Sequence, residues 1–141
     1  MQVKYVGLDL GSRTLGIAIS DELGFLARAV ETYRFPDDAY DMAVEYTIAF
    51  CTKEHVDTVI LGLPKHMNGD TGIRATISYE FKEALEKKSN LRVILEDERL
   101  TTVLVNKAMI SGNVRRKDRN HKKDEMAAVV ILQNYLDKMK F

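Results

Sequence analysis

A chain of 141 residues, 45% hydrophobic and 30% charged, is long enough to bury a core as one domain (1–141) without disulfide or metal staples. Its one cysteine, Cys51, excludes a disulfide framework and a cysteine-based zinc site, and points to a reducing compartment such as the cytoplasm. The net charge of zero argues against indiscriminate coating of nucleic acid, yet residues 1–98 carry 11 basic against 17 acidic groups while residues 99–141 carry 10 against 4, a polarity suited to one local basic surface.

The N-terminus lacks the apolar stretch and small-residue cleavage site of a signal peptide. The longest apolar run, Met126–Leu132, is too short to span a bilayer, so no membrane role is expected.

Taken in order, Val3–Leu10 and Leu15–Ser20 are short apolar runs joined by Gly-Ser-Arg-Thr, the pattern of a β-hairpin. Ala27–Phe35 alternates as a third strand and completes an antiparallel meander. Pro36 and the acidic pair Asp37-Asp38 suit a helix N-terminus, and helical spacing of apolar residues predicts a helix from Ala39 to about Glu54.

Val56–Leu61 is a continuous apolar strand running into Gly62-Leu-Pro64. A turn-rich loop, Lys65–Gly72, precedes a helix over Ile73–Lys88, with Ile77, Phe81, Ala84 and Leu85 on one stripe. Leu91–Leu95 is the fifth strand. A short helix is predicted over 102–111 and stopped by Gly112; a basic loop over 113–123 and a last helix over Asp124–Met139 follow.

Two strands each reached through a helix, after a three-strand meander, predict an α/β fold. Right-handed crossovers give a five-stranded mixed sheet in the order 3-2-1-4-5 with helices on both faces.

Three acidic positions fall where such a sheet gathers them. Asp9 is a carboxylate inside the central strand, costly unless paired or bound to a metal. Asp97 and Glu98 follow the fifth strand at its carboxyl end, where open α/β sheets collect ligands. Asp124 lies on one helical stripe with Ala128, Ile131 and Tyr135, the stripe that packs on the sheet. Singly, Asp124 reads as a helix cap and Glu96-Asp97-Glu98 as a solvated acidic turn; only Asp9 resists a purely structural account.

Clustered carboxylates select Mg²⁺ or Mn²⁺, ions that can clamp the attacking and leaving oxygens of a phosphodiester displacement. Arg115, Arg116, Lys117, Arg119, Lys122 and Lys123 precede Asp124 with no aromatic residue among them. That pattern suits phosphate contact without base stacking, although a solvated charge run is the ordinary alternative.

His66 and His121 sit on presumed loops without zinc-ligand spacing, and His55 at a helix–strand junction reads as structural. Cys51, beside Phe50 on a helix, reads as core rather than nucleophile. Asp9-Leu-Gly-Ser-Arg-Thr14 also resembles the phosphate-binding hairpin of actin-like and sugar-kinase ATPases, but those need two domains around the nucleotide, and 141 residues supply one.

The residues match a larger pattern. Gly7-Leu-Asp-Leu-Gly-Ser-Arg-Thr-Leu-Gly-Ile-Ala18 with Asp21, Gly62-Leu-Pro64 with Asn68-Gly69, Asp97-Glu-Arg-Leu-Thr-Thr102, and Lys123-Asp-Glu-Met-Ala-Ala128 with Ile131-Leu-Gln133 resemble the YqgF/RuvX family. These are the pre-16S rRNA nuclease or Holliday junction resolvase-like proteins. The likeness runs from about residue 3 to 137; Lys65-His66 departs from it, standing where the family more often has Leu-Asn.

The resemblance implies an RNase H-like fold and metal-dependent hydrolysis of phosphodiester bonds. It carries Asp9, Glu98 and Asp124 across as metal-binding, catalytic acids, with Asp97 as a further ligand, and Arg13, Arg74 and Arg99 as phosphate contacts beside Arg115, Arg116 and Lys117. The substrate it implies is structured RNA, a ribosomal RNA precursor, handled by a monomer or homodimer. Branched DNA and a non-catalytic RNA-binding role in ribosome assembly are the alternatives.

Overall fold

The computed structural model describes residues 4–64, 72–97 and 116–139, with the backbone alone for 116–125. The elements in chain order are β1 (Tyr5–Leu10), β2 (Thr14–Ser20), β3 (Ala27–Arg34), α1 (Tyr40–Glu54), β4 (Thr58–Leu63), α2 (Gly72–Lys88), β5 (Arg92–Asp97) and α3 (Arg116–Met139). The strands form one sheet in the order β3-β2-β1-β4-β5, as the sequence predicts. β1 pairs antiparallel with β2 and parallel with β4; β4 pairs parallel with β5.

Strand alternation divides the core in two. Val6, Leu8 and Leu10 of β1, with Val59 and Leu61 of β4, join Ala43, Val44 and Cys51 of α1 and Phe81 and Leu85 of α2. On the other face, Ala18 and Ile60 meet Ala128, Ile131, Leu132 and Leu136 of α3, with Tyr5 and Tyr135 at the edge. Of the stripe predicted for the last helix, Ala128, Ile131 and Tyr135 pack on the sheet.

Several boundaries differ from the sequence reading, each for a local reason. β4 starts at Thr58 rather than Val56 because the chain closes α1 first. His55 takes the left-handed conformation (φ 59°), and the Val56 amide donates to the Cys51 carbonyl at 2.9 Å. Asp37 and Asp38 do not cap α1, whose N-cap is Ala39 with no side-chain bond. Asp37 faces Arg13 at 3.6 Å, and Asp38 is itself left-handed (φ 61°).

The largest departure is α3, which begins at Arg116 rather than Asp124. The basic run, read as a loop, contains no Gly or Pro after Gly112. Arg and Lys are strong helix formers, and Asp118 stands four residues before Lys122. The helix predicted over 102–111 and the loop residues 65–71 lie outside the described residues.

Two residues of the recognised pattern prove architectural. Asp21 Oδ1 accepts the amides of Phe25 (2.7 Å) and Leu26 (3.4 Å), closing the β2–β3 turn around Gly24 (φ 75°). These bonds, Phe25's first, hold its carboxyl below the ordinary range. Gln133 of α3 accepts from the Ala27 amide (2.9 Å) and donates to the Phe25 carbonyl (2.9 Å), fastening that turn to the helix.

Helix and sheet approach closely at Gly7. A Cβ there would stand 2.6 Å from Leu132 Cβ and 2.9 Å from the Ala128 carbonyl oxygen. Gly7→Ala is therefore expected to destabilise the fold by about 2–3 kcal/mol in urea denaturation, the cost of overpacking a seam that cannot give. A change below about 0.5 kcal/mol, the ordinary effect of a surface substitution, would show that α3 can shift.

Candidate active site

The site is built from Asp9 outward. Pleat alternation sends Val6, Leu8 and Leu10 to the α1/α2 side and Tyr5, Gly7 and Asp9 to the α3 side. Asp9 is half-buried there.

Its neighbours across the sheet are small. Asp9 pairs with Gly16 of β2, and Gly16 pairs with Thr32 of β3. One step past the last β1–β4 pair, Leu8 with Leu61, Asp9 comes level with Gly62, which in turn pairs with Glu96 of β5. The row across the α3 face at this level is thus Thr32, Gly16, Asp9, Gly62, Glu96. Of the described glycines only Gly24 and Gly72 have a positive φ, so Gly16 and Gly62 are not required by backbone conformation. A glycine inside a strand commonly marks a close approach of ligand or backbone.

α3 runs down this face in a definite register. Tyr135 meets Tyr5 edge-on, ring centroids 5.7 Å apart, while Ala128 and Leu132 meet Gly7. From Tyr5 to Gly7 along β1, the helix contacts move from 135 back towards 128. Asp124 is one helical turn further, inside α3 rather than at its start. The cap reading of Asp124 is thereby removed.

The remaining expected site residues fall as follows. Asp97 ends β5, exposed, and alternation groups it with Val93 and Leu95 on the face opposite Asp9. Arg13 lies on the β1–β2 turn, its side chain 73% exposed and facing Asp37. Arg74, near the start of α2, donates to the Leu10 carbonyl at 3.0 Å and to the Tyr40 hydroxyl at 3.2 Å. Arg116 and Lys117 open α3 rather than standing on a loop. Glu98, Arg99 and Arg115 lie outside the described residues. Among the described residues no group of His, Cys, Asp and Glu is disposed to hold a metal ion by itself.

Sequence reasoning missed Glu96. Treated as part of an acidic turn, it is instead a buried residue of β5 whose side chain is 8% exposed and bonded by Lys138 of α3. The signal was available in alternation, since Glu96 falls on the Ile94 face. Burial pushes the Cys51 thiol up to about 12, which leaves no thiolate at neutral pH and confirms it as core.

Comparison with known proteins gives a consistent picture. A family profile described as "RuvX: Holliday junction resolvase" matches residues 3–138. A protein of Lactococcus lactis subsp. cremoris (strain MG1363) named "Putative pre-16S rRNA nuclease" is 45% identical over 137 residues, covering 97% of this chain and 96% of that one. Among solved structures, Thermus thermophilus RuvC is similar with a TM-score of 0.61 at 10% identity, covering 98% of this chain and 96% of that one. The fowlpox virus resolvase, solved with Holliday junction DNA, gives a TM-score of 0.59 at 16% identity over 97% and 99% of the two chains. The likeness to these two is one of fold, the RNase H-like fold of the resolvases.

The row around Asp9 makes a physical prediction of its own. If Gly62 faces open space, Gly62→Ala should raise stability in urea by about 0.5–1 kcal/mol, the usual cost of glycine within a strand. A loss of stability would mean that neighbouring atoms already fill the space beside Asp9.

Proposed function

The chain belongs to the RuvX family, and from that membership we propose that it is a metal-dependent nuclease hydrolysing phosphodiester bonds in structured RNA, the pre-16S ribosomal RNA precursor. The observation that carries this reading is the register of α3 on β1. Contacts at Tyr5 and Gly7 set that register, and one helical turn beyond Ala128 carries position 124 towards the end of β1 that holds Asp9.

Under this reading Asp9, Glu98 and Asp124 hold Mg²⁺ or Mn²⁺. The fit rests on donor chemistry and room: hard carboxylate oxygens suit these cations, and the flanking Gly16 and Gly62 carry no side chains to obstruct them. Alternation sends Ile94 and Glu96 to Asp9's face and Asp97 to the opposite one, which leaves Asp97 at the margin of the proposed site. When bound, the cation activates the attacking water and neutralises charge on the leaving oxygen.

The protein's own groups do the rest. The backbone of Asp9 is held by the β2 ladder, so the strand that carries its carboxylate is in place before any ligand arrives. Arg13, Arg74, Arg99, Arg115, Arg116 and Lys117 supply phosphate contacts that hold the substrate without reading its sequence. The 24 residues of α3 make a helix of about 36 Å, whereas the six residues of β1 span about 20 Å. The basic first turns of α3 therefore extend past the carboxyl end of β1, where a nucleic acid flanking the site would run.

Among the described residues no helix is long and apolar enough to cross a membrane.

The test is a cleavage panel with Mg²⁺ or Mn²⁺, setting pre-16S rRNA fragments against four-way DNA junctions. The wild type should cut the RNA, and Asp9→Asn should lose about 10²–10³-fold or more in rate with its circular dichroism unchanged. Preferential cutting of junctions by a dimer would replace the RNA substrate with branched DNA, the reading that the family's description favours. Salt-sensitive RNA binding without cleavage of any substrate, or full activity in Asp9→Asn, would overturn the nuclease mechanism.

A further inference from the structure

Arg74 is bonded in a way that a phosphate contact alone does not require. The β1–β4 ladder ends at Leu8 and Leu61, so the last residues of β1 are supported by strand pairing only on the β2 side. Leu10, which follows Asp9, receives instead a bond to its carbonyl from Arg74 Nη2 at 3.0 Å. A buried or half-buried carbonyl needs a donor, and a guanidinium is a strong one.

The same guanidinium donates through Nη1 to the Tyr40 hydroxyl at 3.2 Å, and that hydroxyl donates to Asp38 Oδ1 at 3.1 Å. The Asp38 amide then donates to the Ser12 carbonyl at 2.8 Å. Leu10 and Ser12 flank Gly11, so the circuit leaves the β1–β2 turn and returns to it, passing through α2, the first residue of α1 and the β3–α1 connection.

Two features suggest that the circuit is held against some cost. Asp38 adopts φ 61°, a conformation few residues other than Gly, Asn and Asp accept, and there its amide faces Ser12 while its carboxylate meets Tyr40. The Tyr40 ring is set by Phe35, edge-on at 6.0 Å, and the Phe35 amide donates to the Arg13 carbonyl at 2.9 Å. The turn is braced at Leu10, Ser12 and Arg13.

We infer that Arg74 is a positioning residue for Asp9, holding its segment through the Leu10 carbonyl in a circuit completed by Tyr40 and Asp38. The inference rests on the reading of Asp9 as a metal ligand, and it assigns to Tyr40 and Asp38 a role that neither the pattern of the family nor the composition suggested. Lysine cannot substitute, because only a planar fork reaches both acceptors at once. The two bonds use two of the five N–H groups of Arg74, so the two roles make different predictions rather than excluding each other.

The test compares Tyr40→Phe, Arg74→Lys and the double variant with the full-length wild type. Three readouts are used: hydrogen exchange of the Gly11 and Asp38 amides, Mn²⁺ binding to the metal-free protein by titration, and kcat and KM on RNA. Each single variant should speed exchange of both amides, weaken Mn²⁺ binding and lower kcat about tenfold, with KM unchanged in Tyr40→Phe, since small misplacement of a reacting group is costly. The double variant should be no worse than either single one, the mark of one shared network.

A raised KM and a shallower salt dependence in Arg74→Lys, with Tyr40→Phe unchanged, would make Arg74 a phosphate contact and overturn the inference. Faster exchange with wild-type Mn²⁺ affinity and kcat would make the circuit merely structural, which overturns it equally. A wild type that binds Mn²⁺ but cleaves nothing sinks the nuclease reading alone, because exchange and Mn²⁺ affinity still decide the role of Arg74. A wild type that binds no Mn²⁺ overturns the reading of Asp9 itself and the inference with it.

Discussion

The approach of α3 to β1 at Gly7 determines where everything else on that face can lie. With no Cβ at position 7, the Ala128 carbonyl and the Leu132 side chain come down onto the strand itself. Tyr135 on Tyr5 fixes one end of the register, and Gln133, bonded to Ala27 and Phe25, fixes rotation about the helix axis. Once these contacts are made, the level that position 124 reaches on the sheet is no longer adjustable. Small residues at 127 and 128 serve the same purpose, since a larger side chain on the packed stripe would lift the helix end away from Asp9.

A carboxylate on a sheet face beneath a helix ordinarily carries a desolvation cost that folding must offset. The two carboxylates of this row are treated differently. Glu96 is buried and answered by Lys138 from the last turn of α3, which also joins the end of β5 to the helix. Asp9 is only half-buried, with glycine on each neighbouring strand at its level. Glu96 therefore behaves as a structural anion tied to α3, whereas Asp9 keeps partial exposure between two glycines.

Much of this was legible in the amino-acid sequence, and the reasons are local. Val6, Leu8 and Leu10 alternate strictly with Tyr5, Gly7 and Asp9, and the two helix-linked strands leave little freedom in sheet order; the observed order is the expected one. Other features depend on partners far away in the chain. Nothing near Asp38 reveals that its amide will meet Ser12, or near Arg74 that the Leu10 carbonyl will need a donor where the β4 ladder stops. Glu96 looked like a solvated turn because its cation is 42 residues away. The start of α3 differs from the sequence expectation for another reason: a dense run of like charge resembles a solvated loop, yet Arg and Lys favour helix when neither Gly nor Pro interrupts them.

The extended α3 changes how the charges of the chain work together. As a loop, residues 116–123 could move independently of the carboxylates. As the opening turns of the same helix that packs on Gly7, they belong to one rod, with position 116 about 12 Å from position 124 along its axis. The proposed phosphate contacts of those turns would then be placed relative to Asp9 by the same seam that sets the backbone of position 124. The excess of acid before residue 98 and of base after it becomes intelligible on these terms: the sheet contributes Asp9 and the helix the basic surface. Their relative position rests on the contact between Gly7 and Ala128–Leu132. Under the proposed function, a change that loosened that seam would disturb substrate placement and the position of Asp124 together, so the two could not be tuned separately by repacking α3.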